Sequence, residues 1–294
     1  MPVSARGAKI FFFLSLLSGG LVNAYGQSSD NASLEKALRA DVEFLSDSLC
    51  AGRRTGTPGS SAGAFYIIRR LRNMGYEVSM AAFRTANDAV GHNIIASSAS
   101  GGKAAILLMA CYDGLGTIGG RMYPGADSNA SGVAALLEIA GSLKGRKDVI
   151  IAFVDAHNAN MAGAGALKDY LGRRPLRMVV NFDILGSTMA PPDKFWKNYL
   201  IILGGAPYQR SFDRLNAGKA LHLYYNYYNS RSFTELFYRK VSDHKVFFDK
   251  GIPILMFTSG ITMNTNRESD AFDTLDYEVF AHRVDLIVRW LETL

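Results

Sequence analysis

The sequence predicts an α/β protein with a largely parallel sheet covered by helices on both faces. Three observations carry this. Apolar runs of strand length recur along the chain, helical stretches separate most of them, and the runs are apolar at successive positions rather than at alternate ones. Unbroken apolar strands belong to sheets buried on both faces, and crossover helices are what cover such sheets.

The elements follow in order. Residues 1–26 read as a secretory signal peptide. Arg6 and Lys9 precede an apolar run from Ile10 to Leu17, and small residues then lead to a cleavage site at Val22-Asn23-Ala24 or Ala24-Tyr25-Gly26. The run is too short to span a bilayer. The expectation is an exported protein, periplasmic or secreted, with residues 27–294 forming a single domain. Residues 27–33 read as a polar tether, and "SLEKALRADVEFLSDSL" (33–49) has helical apolar spacing. "CAGRRTGTPGSSA" (50–62) reads as a loop whose end caps a second helix, "GAFYIIRRLRNM", closed by Gly75. Strands are expected at 93–98, 104–110, 149–156, 178–185, 199–205 and 253–259, and helices at 131–144, 160–171, 207–217 and 276–293. "LHLYYNYYN" (221–229) alternates less clearly and reads as an edge or inserted strand, its tyrosines serving as packing groups.

Composition excludes some functions. The chain has 294 residues, 48% hydrophobic and 20% charged, an ordinary globular balance. Loss of the leader removes two cations and no acid, so the formal charge falls from +6 to +4. The basic residues are scattered, which argues for a solvated surface and against nucleic-acid binding. No later run is long and apolar enough to cross a membrane. Two cysteines, Cys50 and Cys111, are too few for a disulfide framework.

The polar residues fall where ligands bind. Cys111 and Asp113 end one apolar run, Asp155, His157 and Asn158 end the next, and Asp183 lies late in a third. Open α/β sheets bind ligands beyond the carboxyl ends of their strands. These residues, with the "YPGADSNASG" loop around Asp127 and Ser128, are expected to converge on one cleft.

At these residues the chain resembles the dinuclear zinc aminopeptidases of metallopeptidase clan MH, family 28, whose fold the glutaminyl cyclases share. The likeness runs from about Leu49 to the C-terminus through "CAGRRTGTPGSSAGAFYI", "LLMACYD", "YPGADSNASGVAALLEIA", "IIAFVDAHN", "VVNFDILG", "SDHKVFFDKGIPIL" and "RESDAFDTLD". It implies a three-layer α/β/α sandwich with a mostly parallel mixed sheet, the zinc-aminopeptidase (phosphorylase/hydrolase-like) fold. It also implies a pair of zinc ions bridged by a carboxylate, with a Glu deprotonating the bridging water.

Position by position, the implied site is altered. The family's His-x-Asp is Cys111-Tyr112-Asp113 here, so the His ligand has become Cys. Its Asp-Asp loop is Asp127-Ser128, so the bridging carboxylate has become Ser128. Its Glu-Glu pair, base then ligand, is His157-Asn158. Asp183 keeps the family's sheet-borne ligand. Counting back from Ser269-Asp270, the last His ligand falls at Asn266. Realignment does not recover the Glu pair, because no Glu lies between Glu138 and Glu235. Ser and Asn lack the charge that offsets dehydration of zinc.

The resemblance therefore implies a protein that has lost dinuclear zinc hydrolysis and binds a peptide or protein in the old cleft. No cofactor is expected, and at most one zinc ion, on Asp183 and Cys111. The cleft would comprise Asp113, Asp127, Ser128, His157, Asn158, Asn266 and Asp270. The alternative is a remodelled or still active hydrolase of the same family, for instance one using Cys111 and His157. Cys111 equally fits a buried structural cysteine or a partner for Cys50. Arg267 is a candidate counter-ion for Asp183, and Ser242-Asp243-His244 reads as a scaffold turn.

Overall fold

The computed structural model describes residues 18–97, 104–218 and 220–294. The basic start and apolar run of the expected signal peptide lie outside the described residues. The first helix, α1 (Ser18–Ser46), runs through the stretch expected to be a tether. Residues 27–33 contain neither Gly nor Pro, so nothing there interrupts a helix. The second helix, α2 (Pro58–Asn73), begins earlier than expected. Thr57 caps it, its side chain accepting from Ser60 N, and Pro58 sits at the first helical position, where its missing N–H costs nothing.

The sheet has eight strands: β1 (Val78–Arg84), β2 (Val90–Ser97), β3 (Ala105–Cys111), β6 (Val149–Val154), β7 (Leu176–Phe182), β8 (Tyr199–Leu203), β9 (His222–Tyr224) and β10 (Ile254–Thr258). A separate hairpin contains β4 (Gly116–Ile118) and β5 (Arg121–Tyr123). The order across the main sheet is β1-β2-β6-β3-β7-β10-β8-β9. The middle four strands, β6, β3, β7 and β10, run parallel. β1, β2 and β8 add antiparallel pairings. The sheet is thus mixed and mostly parallel, as expected. β9 pairs parallel to β8 at the edge, where the Tyr-rich run was expected to lie.

β1 escaped the sequence reading. Its burial alternates only partly, because it is a half-exposed edge strand folded onto β2 through the Thr85–Ala89 turn. The central strands β3, β6, β8 and β10 are buried along their whole length, which is why they were legible.

Helices α3 (Gly132–Ser142), α4 (Ala162–Leu171), α5 (Gln209–Leu215), α6 (Arg231–Arg239) and α7 (Tyr277–Glu292) complete the fold. One core joins α1, α2, α3 and α7 to one face of the sheet through Val42, Ile67, Leu136, Phe257 and Ile287. A second core, with Leu167 of α4 and Phe247, covers the other face around Leu107, Ile150 and Val179. Trp290 stacks on Phe212 and meets Phe257 edge-on, fastening α7 to the sheet. Arg70 of α2 pairs with Asp41 of α1 and Glu138 of α3, tying three helices on the same side.

Candidate functional site

The cleft forms at the carboxyl ends of β3, β6 and β7, where three loops meet. Its geometry is set by two side chains that the sequence reading did not single out. Asn129 donates from Nδ2 to Cys111 O at 3.1 Å and to Phe182 O at 3.0 Å, and its Oδ1 accepts from Ile184 N at 2.9 Å and Gly132 N at 3.2 Å. One amide thereby joins the end of β3, the end of β7 and the start of α3. The close approach requires Gly132, where a Cβ would stand 2.4 Å from Asn129 Oδ1 and 2.5 Å from Phe182 O. The Ser128–Asn129 peptide bond is cis.

The second is Arg53, which the scattered basic residues were expected to place on a solvated surface and which is instead a wholly buried cation. Its guanidinium donates to Tyr112 O at 2.8 Å, Pro124 O at 2.9 Å, Gly125 O at 2.8 Å and Leu45 O. Burial lowers its pKa, while Asp270 and Asp113 among its neighbours favour the charged form. A guanidinium with several carbonyl partners can be buried where a bare charge cannot. In the sequence such a residue is only one Arg within a Gly-rich loop, with nothing to separate it from a surface cation.

The loop around Ser128 is held by carboxylates facing inward. Asp270 accepts from Asp127 N at 2.8 Å and Ser128 N at 3.1 Å. Asp127 Oδ1 accepts from Gly186 N at 2.7 Å and Ser131 Oγ at 3.1 Å. Burial, and then the nearby Asp270, pushes Asp127 up to about 7. Asp270 is also raised, chiefly by burial. Asn266 stands exposed on the turn before Asp270, with a φ of 60°.

On the other side, Asp113 accepts from His157 N at 2.8 Å, Asn158 N at 3.1 Å and Asn158 Nδ2 at 3.1 Å. Burial and the adjacent Asp155 push it up to about 6. Asp155 is a scaffold group, accepting from Thr55 Oγ1, His92 N, Ala156 N and Tyr112 Oη. Asn158 itself is exposed.

His157 meets a partner that sequence alone did not supply. Its Nδ1 lies 2.7 Å from Asp243 Oδ2, and Asp243 above all raises the imidazole pKa, to about 10. Asp243 follows Ser242 at the start of a 3-10 segment, Asp243–Lys250. Ser242 Oγ donates to Asp183 Oδ2 at 2.9 Å and accepts from Asn181 Nδ2 at 2.8 Å. The partner of Asp183 is therefore a hydroxyl and not Arg267, which is exposed. Burial raises Asp183, and His157 opposes that shift.

Cys111 is a free thiol, 5% exposed, and Cys50 is likewise free and buried. Burial raises Cys111 well above its ordinary value, and Asp243, Asp183 and Asp113 raise it further. Cys111, His157 and Asp243 together offer one ligand atom each within 4.8 Å of one another. Of the two ligands expected from sequence, Cys111 belongs to this group and Asp183 does not, its carboxylate accepting instead from Ser242, the residue before Asp243. Beside Asp113 and Asn158 opens a cavity of about 350 Å³, lined also by Arg54, Thr55, Asn87 and Leu115.

An open α/β sheet with such a polar cleft at its parallel strand ends is the architecture of a hydrolase-like α/β protein. The chain belongs to peptidase family M28, whose model matches residues 93–291. Among solved structures it is similar to BSAP, a zinc aminopeptidase from Bacillus subtilis, with 14% identity and a TM-score of 0.69 over 88% of this chain and 94% of that one. It is also similar to the LapA aminopeptidase of Legionella pneumophila (16% identity, TM-score 0.67, 98% and 79% covered). A third likeness is to glutaminyl cyclase from Porphyromonas gingivalis (20% identity, TM-score 0.65, 88% and 98% covered). At these identities the likenesses establish the zinc-aminopeptidase fold. No curated protein matches the sequence. Among the described residues, no helix is long and apolar enough to cross a membrane.

Proposed function

We propose that this is an exported, aminopeptidase-like protein that has lost dinuclear zinc hydrolysis and uses its cleft to bind a peptide or protein segment. On this reading residues 1–26 are a signal peptide and residues 27–294 one domain, periplasmic or secreted, without nucleic-acid partners.

One observation carries the reading. The loop that should present a bridging carboxylate presents Ser128, Asp270 is spent on the N–H groups of residues 127 and 128, and Asp127 holds Gly186 N through Oδ1. A neutral hydroxyl does not bridge two cations. The other positions implied by the resemblance point the same way. Asn158 turns its NH₂ toward Asp113, a donor where a cation needs an acceptor, and Asn266 is an exposed amide. A pair of zinc ions does not fit this donor set, and no hydrolytic step is assigned to one. Where the resemblance places the base, His157 is already paired with Asp243 and held as a cation. A protonated imidazole cannot accept a proton from water. The cavity lined by Arg54, Asp113 and Asn158 supplies both signs of charge and amide groups, which suit a peptide backbone and its termini.

The second reading is a thiol hydrolase using Cys111. Asp243 favours it, because it orients His157 as a third group would in a nucleophilic triad. Against it, burial and three carboxylates push the thiol away from thiolate, the direction opposite to that of reactive cysteines.

The test is hydrolysis of aminoacyl p-nitroanilides by the purified protein, with and without added zinc. No turnover above background is expected. Turnover abolished by a chelator would overturn the proposal, and turnover abolished by alkylation of Cys111 would establish the second reading instead.

A further inference from the structure

We propose that the cleft binds one borderline-soft divalent cation, zinc by its chemistry, through Cys111 Sγ, an imidazole nitrogen of His157 and a carboxylate oxygen of Asp243. This deepens the reading above and rests on it, since the ligand set differs from the paired-ion set that the resemblance implies. His157 stands where that set has its base, and Asp243 contributes nothing to it.

Three observations support the site. The first is placement. The three residues come from the end of β3, the loop after β6 and the segment that opens at Asp243, yet one ligand atom of each lies within 4.8 Å of the others. Zinc bonds of about 2.0–2.3 Å separate the ligands of one tetrahedral ion by roughly 3.5 Å. Closing the group would take rotation of the three side chains toward a common centre and would replace the direct His157–Asp243 hydrogen bond.

The second observation is independent of the cluster's composition. Asp243 is 1% exposed, and while Oδ2 holds the His157 ring, Oδ1 is buried without a hydrogen-bond partner. A buried carboxylate oxygen left without a partner is costly, and such atoms are rare in folded proteins. A bound cation would satisfy it.

The third is donor chemistry. One sulfur, one nitrogen and one oxygen select zinc over magnesium or calcium, which prefer oxygen alone. The supporting groups are in place. Asn181 fixes Ser242, Ser242 ties Asp183 to the turn carrying Asp243, and Asn129 Nδ2 lies 3.4 Å from Cys111 Sγ. Groups of this kind orient ligands and tune their affinity. His157, with 28% of its side chain exposed, is the member open to the cleft. Binding releases two protons to solvent, the thiol proton of Cys111 and one ring proton of the His157 cation, and leaves a thiolate and a neutral imidazole as ligands. A water or a group of the bound peptide would complete the coordination.

The experiment uses cobalt(II) as a spectroscopic stand-in for zinc, added to the whole chelator-treated and desalted protein. One equivalent is expected, with a sulfur-to-cobalt charge-transfer band in the near ultraviolet. Cys111→Ser should abolish the band, and Asp243→Asn should weaken affinity by about tenfold or more. Circular dichroism should show both variants folded. Should Cys111→Ser not fold, S-alkylation of the folded protein at Cys111 must abolish the band in its place. No bound cobalt overturns the proposal, as does bound cobalt without the band or a band that survives loss of the Cys111 thiol. A band lost in Asp183→Asn but kept in Asp243→Asn overturns it in favour of the ligands read from sequence. Zero equivalents leave the loss of hydrolysis standing. Two equivalents with peptide turnover overturn both proposals.

Discussion

The two halves of the cleft differ in how their polar atoms are used. In the half built on Asn129, Arg53 and Asp270, side chains bond backbone groups of neighbouring loops. In the half built on Cys111, His157 and Asp243, the groups face each other and an imidazole is partly exposed. The first half is needed to close the fold whatever the protein does. The second is expected to tolerate substitution better.

The largest expected effect falls in the first half. Asn129→Ala removes four hydrogen bonds to backbone groups where β3, β7 and α3 meet. With buried unpaired groups costing about 1–3 kcal/mol each and adding incompletely, a loss of about 4 kcal/mol is expected. Denaturant unfolding would measure it, and a loss below 1 kcal/mol would erase the contrast between the halves. Asp270→Ala leaves the N–H groups of residues 127 and 128 without their carboxylate and should cost about 2–3 kcal/mol by the same measurement.

Dependence on pH sharpens the comparison. Asp113 and Asp127 are raised from 3.8 to about 6 and about 7, so the folded state favours their protons more than the unfolded chain does. Their contribution to stability is complete below about pH 4 and is lost as pH rises through 6 and 7. His157 is raised from 6.5 to about 10, so its contribution is complete below about pH 6.5 and is lost as pH rises through 10. His244, buried and donating from Nε2 to Tyr238 O, is lowered to about 4 by burial. Its contribution is present above pH 6.5 and is lost as pH falls through 4. Unfolding curves of Asp127→Asn should be flatter than the parent's between pH 4 and 7, and those of His157→Gln flatter between pH 7 and 10. Unchanged slopes would contradict the assigned environments.

The smallest effect is expected at Cys111. Cys111→Ser should change stability by about 1 kcal/mol, since a hydroxyl there finds Asn129 and the carboxylates beside it. A loss as large as that of Asn129→Ala would make Cys111 a structural residue and move it into the first half.

The sequence revealed those parts of the molecule that obey local rules. β3 and β6 were legible because both of their faces are apolar, and α7 because its inward face repeats with helical spacing behind an Asp276 cap. β1 was missed because a half-exposed edge strand carries little alternation. In the cleft, the strand-end residues Cys111, Asp113 and His157 were found because topology alone gathers strand ends. From sequence alone Asp243 is part of a scaffold turn. No local pattern brings together residues 86 positions apart, and only the folded chain sets its carboxylate against His157. Asn129 gives no local signal for a related reason, since its four bonds reach three separate segments.

The central claim is that this cleft no longer holds a pair of metal ions. The most direct test is the zinc content of the purified protein, by elemental analysis after zinc exposure and desalting. One equivalent per chain, lost in Cys111→Ser, is the expected result. Two equivalents would contradict it and return the chain to the working aminopeptidases of its family.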